Sequence, residues 1–111
     1  MTHQKDDSLI LSMAGKIHAP IANRNTAKLA NAVKDARTIL EQVELEIAKP
    51  TYQDHASRLT KMRDTIAEIA ATICAEQLLI SGSATVSSDP NNIPNAAEAA
   101  VKLAVEVYAT K

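Results

Sequence analysis

Two heptad-spaced series of apolar residues, one on each side of Pro50, constrain this chain more than any other feature. Their steps alternate between three and four residues, the spacing of a helix that buries one narrow face against another helix. The first series is Leu29, Val33, Ala36, Leu40, Val43 and Ile47, and the second is Tyr52, His55, Leu59, Met62, Ile66, Ile69 and Ile73. Because proline interrupts a helix, the pattern predicts two helices, at about 25–48 and 52–80.

The two series also predict how these helices pair. If the chain reverses next to Pro50, both series fall into one register, in which Leu40 faces Met62 and Ala36 faces Ile66. The second half of the first helix is acidic and the first half of the next is basic, so antiparallel pairing brings opposite charges together, with Glu46 nearest to Arg58. We therefore predict a long antiparallel two-helix hairpin with coiled-coil packing.

Two shorter helices complete the predicted fold. One near the N-terminus carries Leu9, Ile10, Met13 and Ile17, and it stops at Gly15 or before Pro20. The other follows Pro94, after a polar connector over 81–94 that we expect to be flexible. Residues 66–75 are apolar on nearly every side and need more than one helical neighbour. The sequence thus predicts one all-α domain, a helical bundle whose shorter helices pack at the open end of the hairpin.

Composition excludes several classes of protein. Phe and Trp are absent and only two glycines occur, which disfavours a β fold with many turns. A net charge of -1 disfavours nucleic-acid binding, and no apolar run approaches the ~18 residues of a membrane span. The N-terminus lacks the pattern of a signal peptide, and the single Cys74 fits a reducing compartment. We therefore expect a cytoplasmic protein whose lone thiol is buried and inert.

The predicted hairpin leaves its tip, residues 39–62, without a covering helix. An isolated pair of helices buries little apolar surface, so we expect a partner to bind there. The predicted partner-binding residues are Ile39, Val43, Leu45, Ile47, Tyr52, His55 and Leu59. The leading hypothesis is a non-enzymatic helical interaction or adaptor protein without a cofactor. Its partner is a second copy of the chain, as a homodimer or higher homo-oligomer, or another helical protein.

An enzymatic alternative rests on acidic residues spaced along both helices. Glu41-x-x-Glu44 precedes the turn, and Asp64-x-x-x-Glu68 follows it. Over about residues 38–80 this resembles the MazG-like all-α nucleoside-triphosphate pyrophosphohydrolases, which carry E-x-x-E followed by E-x-x-D. The resemblance implies Mg²⁺ bound by Glu41, Glu44 and Glu68. The chain departs from the family at Thr65, where the family has an acid, and the predicted register sets Glu44 and Glu68 on the order of 15 Å out of step.

Overall fold

A computed structural model describes residues 6–109 of the 111-residue chain. Its α-helices are α1 (Asp7–His18), α2 (Leu29–Ile47), α3 (Ala56–Lys61), α4 (Arg63–Ser81) and α5 (Asn92–Ala109). Short 3₁₀ turns occupy Ala19–Ile21, Pro50–His55 and Val86–Ser88. No strand occurs within residues 6–109. The predicted all-α helical bundle is therefore confirmed.

The four long helices surround one core. α1 packs against α2 and α4, and α5 packs against the same two helices from the other side. Contacts between α2 and α4 are fewer than the contacts that either makes with α1 or α5. Hence α2 and α4 face each other across the centre of the bundle, and α1 and α5 lie on opposite sides of them.

Side-chain contacts fix the direction of each helix. Asp6 meets Arg63 and Ser12 meets Glu68, so α1 and α4 run parallel. Arg63 also meets Glu44 near the end of α2, so α2 runs antiparallel to both. The Tyr108 hydroxyl donates to the sulfur of Met62, which makes α5 antiparallel to α4.

This arrangement differs from the predicted hairpin. Glu44 lies against Arg63, whereas the predicted register placed residue 58 opposite it. The helix expected over 52–80 is interrupted at Met62 (φ -101°, ψ 10°), and Pro50–His55 is a 3₁₀ turn. Residues 48–62 therefore form a crossover between α2 and α4. Leu29 and Val33, expected in the helix–helix seam, are 70% and 37% exposed.

Alanine lets the helices approach closely. The inward faces of α4 and α5 carry Ala67, Ala70, Ala71, Ala97, Ala100 and Ala104, all of which are buried. Larger fully buried side chains fill the space between helices, among them Met13, Ile17, Ile39, Val43, Leu59, Ile66 and Leu78. The wide buried arc of α4 was predicted, and its neighbours are α1, α2 and α5. Among residues 6–109, no helix is both long and apolar enough to cross a membrane.

The end of the bundle that was expected to project alone is covered by α5. The ring of Tyr108 stacks on His55 with 6.3 Å between ring centroids, and the Arg58 guanidinium lies 4.9 Å from the centre of the Tyr108 ring. α5 thus reaches from α2 to the crossover. The prediction that the C-terminal helix packs only at the opposite end is wrong, because α5 is 18 residues long and lies along the whole bundle.

Candidate functional site

The predicted partner-binding residues lie mostly inside the single chain. Ile39, Val43, Ile47, Tyr52 and Leu59 are buried, each 7% exposed or less. Leu45 is 63% exposed, and His55 is half-buried beneath Tyr108. In the folded chain only Leu45 and part of His55 are accessible, because α1 and α5 occupy the surfaces that the hairpin would have left open. Partner binding at these residues stays a prediction, and for the five buried ones it requires the bundle to open.

A buried carboxylate lies where α2 meets the crossover. Glu46 is 3% exposed, accepts a hydrogen bond of 2.9 Å from the Tyr52 hydroxyl, and pairs with the Lys49 ammonium at 2.8 Å. Burial and the bond to Glu46 raise the pKa of Tyr52 to about 12. The hydrogen bond to Glu46 also raises the pKa of Lys49. All these polar groups are paired with one another, so they anchor the crossover to α2 and offer no free acid or base.

Arg63, the first residue of α4, joins three carboxylates. Its guanidinium lies 2.7 Å from Asp6, 3.2 Å from Glu44 and 2.8 Å from Asp64. The hydrogen bond to Asp6, followed by those to Asp64 and Glu44, raises the pKa of Arg63 above its ordinary value. Three acids against one cation leave this cluster net acidic. Because the guanidinium is already engaged, the cluster ties the start of α1 to α2 and α4 and does not present an anion site.

A shallow groove of about 270 Å³ adjoins this cluster. Its walls are apolar side chains of α2 and α3, including Ile47 and Ala56, and the Arg63–Glu44 pair closes one side. The groove therefore combines apolar walls with an ion pair whose partners already satisfy each other. The Thr60 hydroxyl also lines the groove and donates a hydrogen bond of 2.8 Å to the backbone carbonyl of Ala56.

The acids of the enzymatic alternative are directed to different neighbours. Glu44 pairs with Arg63, whereas Glu68 accepts a hydrogen bond from Ser12 and lies 3.8 Å from the Lys16 ammonium on α1. Glu41 is exposed on the outer face of α2. Between residues 6 and 109, no group of three or more His, Cys, Asp or Glu side chains is arranged to hold a metal ion. This geometry does not favour Mg²⁺-dependent chemistry at these positions.

Cys74 and Asp35 lie in the interior between α2 and α4. Cys74 is fully buried, and burial, with a smaller contribution from Asp35, raises the pKa of its thiol to about 12. The predicted burial of this thiol is confirmed, and at neutral pH it is the unreactive protonated form. Asp35 is 2% exposed and accepts a hydrogen bond of 2.8 Å from the backbone N–H of Val86. A carboxylate of α2 thereby secures the connector between α4 and α5.

A second contact holds the same connector. Arg24 donates hydrogen bonds to the carbonyl oxygens of Ser83, at 2.9 Å, and Leu78, at 3.3 Å. Val86 is fully buried, and Asn92 donates to its carbonyl oxygen. The segment predicted as a flexible connector is therefore attached to the bundle at several atoms, and its mobility stays a prediction.

α4 and α5 pack against each other, and both carry apolar residues at or near the surface. On α5, Ala99, Leu103 and Val107 recur every fourth residue, and the latter two are 53% and 49% exposed. On α4, Ile69 and Ile73 are half-buried and pack on the edge of the core. We call these five residues the α4–α5 face.

The neighbours of each helix indicate on which side these residues lie. Gln42 of α2 lines one pocket together with Pro94 of α5, so the side of α5 that carries Pro94 faces α2. Leu103 lies about 180° from Pro94 around the helix, on the side away from α2 and towards α4. Glu68 contacts α1, and Ile73 lies about 140° from Glu68, towards α5.

The sequence analysis did not identify this face. The sequence carries a charged strip, Glu98, Lys102 and Glu106, one residue before the apolar one. The apolar i, i+4, i+8 spacing of Ala99, Leu103 and Val107 was the available signal. Other exposed large apolar side chains lie on α1, α2 and α4: Leu11, Leu29, Val33, Leu45, Leu79 and Ile80.

Comparisons with protein-family models, with curated proteins and with solved structures find no match.

Proposed function

We propose that this chain is a non-enzymatic helical interaction or adaptor protein that acts as a homo-oligomer in the cytoplasm. The supporting observation is the amount of apolar side chain left at the surface of so small a bundle. Large apolar residues that are between 37% and 80% exposed occur on α1, α2, α4 and α5. Single exposed leucines are ordinary, but contiguous exposed apolar surface marks a site of protein association.

The ionisable groups support the same proposal. Three of the buried or clustered ones serve structural roles: Glu46 fixes the crossover, Asp35 fixes the connector, and Arg63 joins three helices. The thiol of Cys74 is buried and protonated. Catalysis needs a titratable group that reaches a substrate, and these groups are turned towards the protein.

The mechanism is presentation of a helical surface. A rigid pair of helices offers an apolar groove in which another helix packs through residues spaced three and four apart. A second copy of the chain provides such helices without a further gene product, and another helical protein provides the same kind of surface. The proposal includes no cofactor, no membrane and no nucleic acid, since the net charge of -1 supplies no field to attract a polyanion.

Sedimentation equilibrium of the unmodified chain tests the proposal. We expect a mass of at least twice the 11.9 kDa of one chain, decreasing on dilution as the oligomer dissociates. The series should extend from micromolar concentrations to the highest soluble concentration. A mass of one chain throughout would contradict the homo-oligomer.

A further inference from the structure

We infer that residues 82–91, between α4 and α5, form a strap that opens as a unit while the four long helices stay folded. Hydrogen bonds to Asp35 and from Arg24 hold the strap closed. Its opening uncovers the interior at the place where α2, α4 and α5 meet. The inference goes beyond the proposed function, because it concerns a motion within one chain and does not depend on the oligomer.

The first argument is how little of the strap is buried. Within residues 82–91, Val86 is the only buried residue, and its side chain is fully buried. The 3₁₀ turn that begins with Val86 packs against α4 and α5, and the Val86 N–H donates to Asp35 on α2. Val86 therefore fills the junction of three helices. A segment with one buried apolar side chain opens at a lower free energy than helices whose inner faces are buried throughout.

The second argument is that few hydrogen bonds join the strap to the rest of the bundle. The Val86 N–H donates to the Asp35 carboxylate at 2.8 Å, and Arg24 donates to the carbonyl oxygen of Ser83 at 2.9 Å. The other hydrogen bonds of residues 82–91 lie within the strap or join it to the adjoining ends of α4 and α5. Hence the strap keeps its own turns when the bonds to Asp35 and Arg24 break.

The third argument is the construction of the two ends of the strap. Gly82 has φ at 75°, a region that glycine shares with many other allowed conformations, so the chain rotates there against little steric resistance. At the other end, an exposed turn at residues 90–91 leads into α5. A few residues in such positions are enough to act as hinges. Opening also returns the Asp35 carboxylate to water, which offsets part of the cost of exposing Val86.

Thiol labelling at two buried valines tests the inference. Val86→Cys places a thiol in the strap, and Val43→Cys is its matched control in α2, since both valines are fully buried. Both chains also carry Cys74→Ala, so that each has a single thiol. In an excess of an aromatic disulfide, we expect position 86 to react at least about tenfold faster than position 43, because only the strap has to open.

Urea distinguishes opening of the strap from unfolding of the bundle. The dependence of an opening equilibrium on urea follows the surface that the opening exposes. Labelling at position 86 should therefore change little in low urea. Labelling at position 43 should rise steeply, in parallel with the unfolding measured by circular dichroism. The same urea dependence at both positions, or labelling at position 86 no faster than at position 43, would overturn the inference.

Arg24→Met tests one of the two contacts that hold the strap. It removes the donor to Ser83 and should raise the labelling rate at position 86 at least about threefold. Tyr52→Phe is the control, since it removes a hydrogen bond at the crossover and leaves the contacts of the strap intact. It should not change labelling at position 86. An equal increase in both variants would show that labelling follows global unfolding, and no increase with Arg24→Met would contradict the role of Arg24.

Hydrogen exchange of the unmodified chain gives a readout that needs no substitution. The Val86 N–H is bonded to Asp35, whereas the Val43 N–H lies within α2. We expect the Val86 N–H to be protected at least about tenfold less than the Val43 N–H, and its exchange to be insensitive to low urea. Equal protection of the two groups would overturn the inference even if a cysteine variant did not fold.

Discussion

Glu46 shows how the fold accommodates a charged side chain in its interior. A carboxylate that is 3% exposed loses nearly all its contact with water, which costs several kcal/mol unless donors replace the water. The Tyr52 hydroxyl and the Lys49 ammonium provide those donors, from six and three residues further along the chain, respectively. The sequence analysis paired Glu46 with Arg58 instead, and that pairing is wrong because Arg58 stacks on Tyr108.

Replacing Tyr52 with phenylalanine measures the contribution of one of these donors, the Tyr52 hydroxyl. Tyr52→Phe keeps the ring but removes the hydroxyl that binds Glu46, so we expect the free energy of unfolding at pH 7 to fall by about 1–3 kcal/mol. Urea denaturation measures the change. An unchanged free energy would mean that Lys49 and water fully replace the lost hydrogen bond.

The raised pKa of Tyr52 also predicts how the stability of the fold depends on pH, and the same variant tests this. Because the folded chain raises the pKa of Tyr52 from 10.0 to about 12, its stabilising contribution is complete below pH 10 and is lost as the pH rises towards 12. Burial raises the pKa of Cys74 to about 12 as well, so this thiol titrates over an overlapping pH range. The chain with Tyr52 and the Tyr52→Phe variant should therefore both also carry Cys74→Ala. We expect the Tyr52→Phe variant to lose less stability between pH 10 and 12 than the chain that keeps Tyr52. An equal loss in these two proteins would contradict the assignment of this pH dependence to Tyr52.

At the scale of the elements, the two glycines have opposite roles. Gly82 ends α4 with φ at 75°, the left-handed conformation that allows the last turn to close onto Leu78. Gly15 lies inside α1, which continues to His18, so the glycine does not end this helix. The firmer predicted stop, the Ala19–Pro20 pair, is where the α-helix gives way to a 3₁₀ turn.

Replacing each glycine with alanine should distinguish the two roles. Gly82→Ala should lower the free energy of unfolding by about 1 kcal/mol, since a side chain disfavours positive φ. Gly15→Ala should raise it by about 0.5–1 kcal/mol, because alanine prefers the helix and the new methyl group meets no atom within 4 Å. Urea denaturation measures both. Changes of the same sign would contradict the assigned conformations.

The crossover explains why the heptad pattern was misleading beyond Pro50. The pattern assumes one continuous helix, whereas residues 50–55 form a 3₁₀ turn and α3 ends at Lys61, before the break at Met62. Each interruption rotates the following residues about the axis, so the phase of the second series is not carried from Tyr52 to Ile66. Leu59 and Ile66 are still buried, but they reach the core from different helices.

For the whole molecule, the order of helices around the core determines which apolar residues are available to a partner. α1 and α5 cover α2 on two sides, so Val43 is fully buried while Leu45, two residues on, faces solvent. Both residues lie in the tip predicted from the sequence, where the heptad series includes Val43 and omits Leu45. Their different exposure follows from two helices that lie far away in the sequence.

Aspartate at these two positions should therefore have different effects. Val43→Asp places an unpaired carboxylate in the core, so we expect a loss of about 4 kcal/mol or more and, in so small a domain, loss of the helical circular dichroism signal. Leu45→Asp should keep the signal and change stability by less than about 0.5 kcal/mol. A folded, monomeric Val43→Asp chain would instead favour the tip-mediated assembly predicted from the sequence.

The sequence by itself determined the helical class, the approximate bounds of α1, α2 and α5, the burial of Cys74 and the need of residues 66–75 for several neighbours. These follow from local periodicity, from proline signals, and from the breadth of an apolar arc. Only the tertiary structure decided that α2 and α4 face each other across the core and that α5 covers the crossover. Helix pairing depends on the order of whole helices around the core, and several orders bury the same residues. The α4–α5 face arises at this level, because it exists only where α4 and α5 lie side by side.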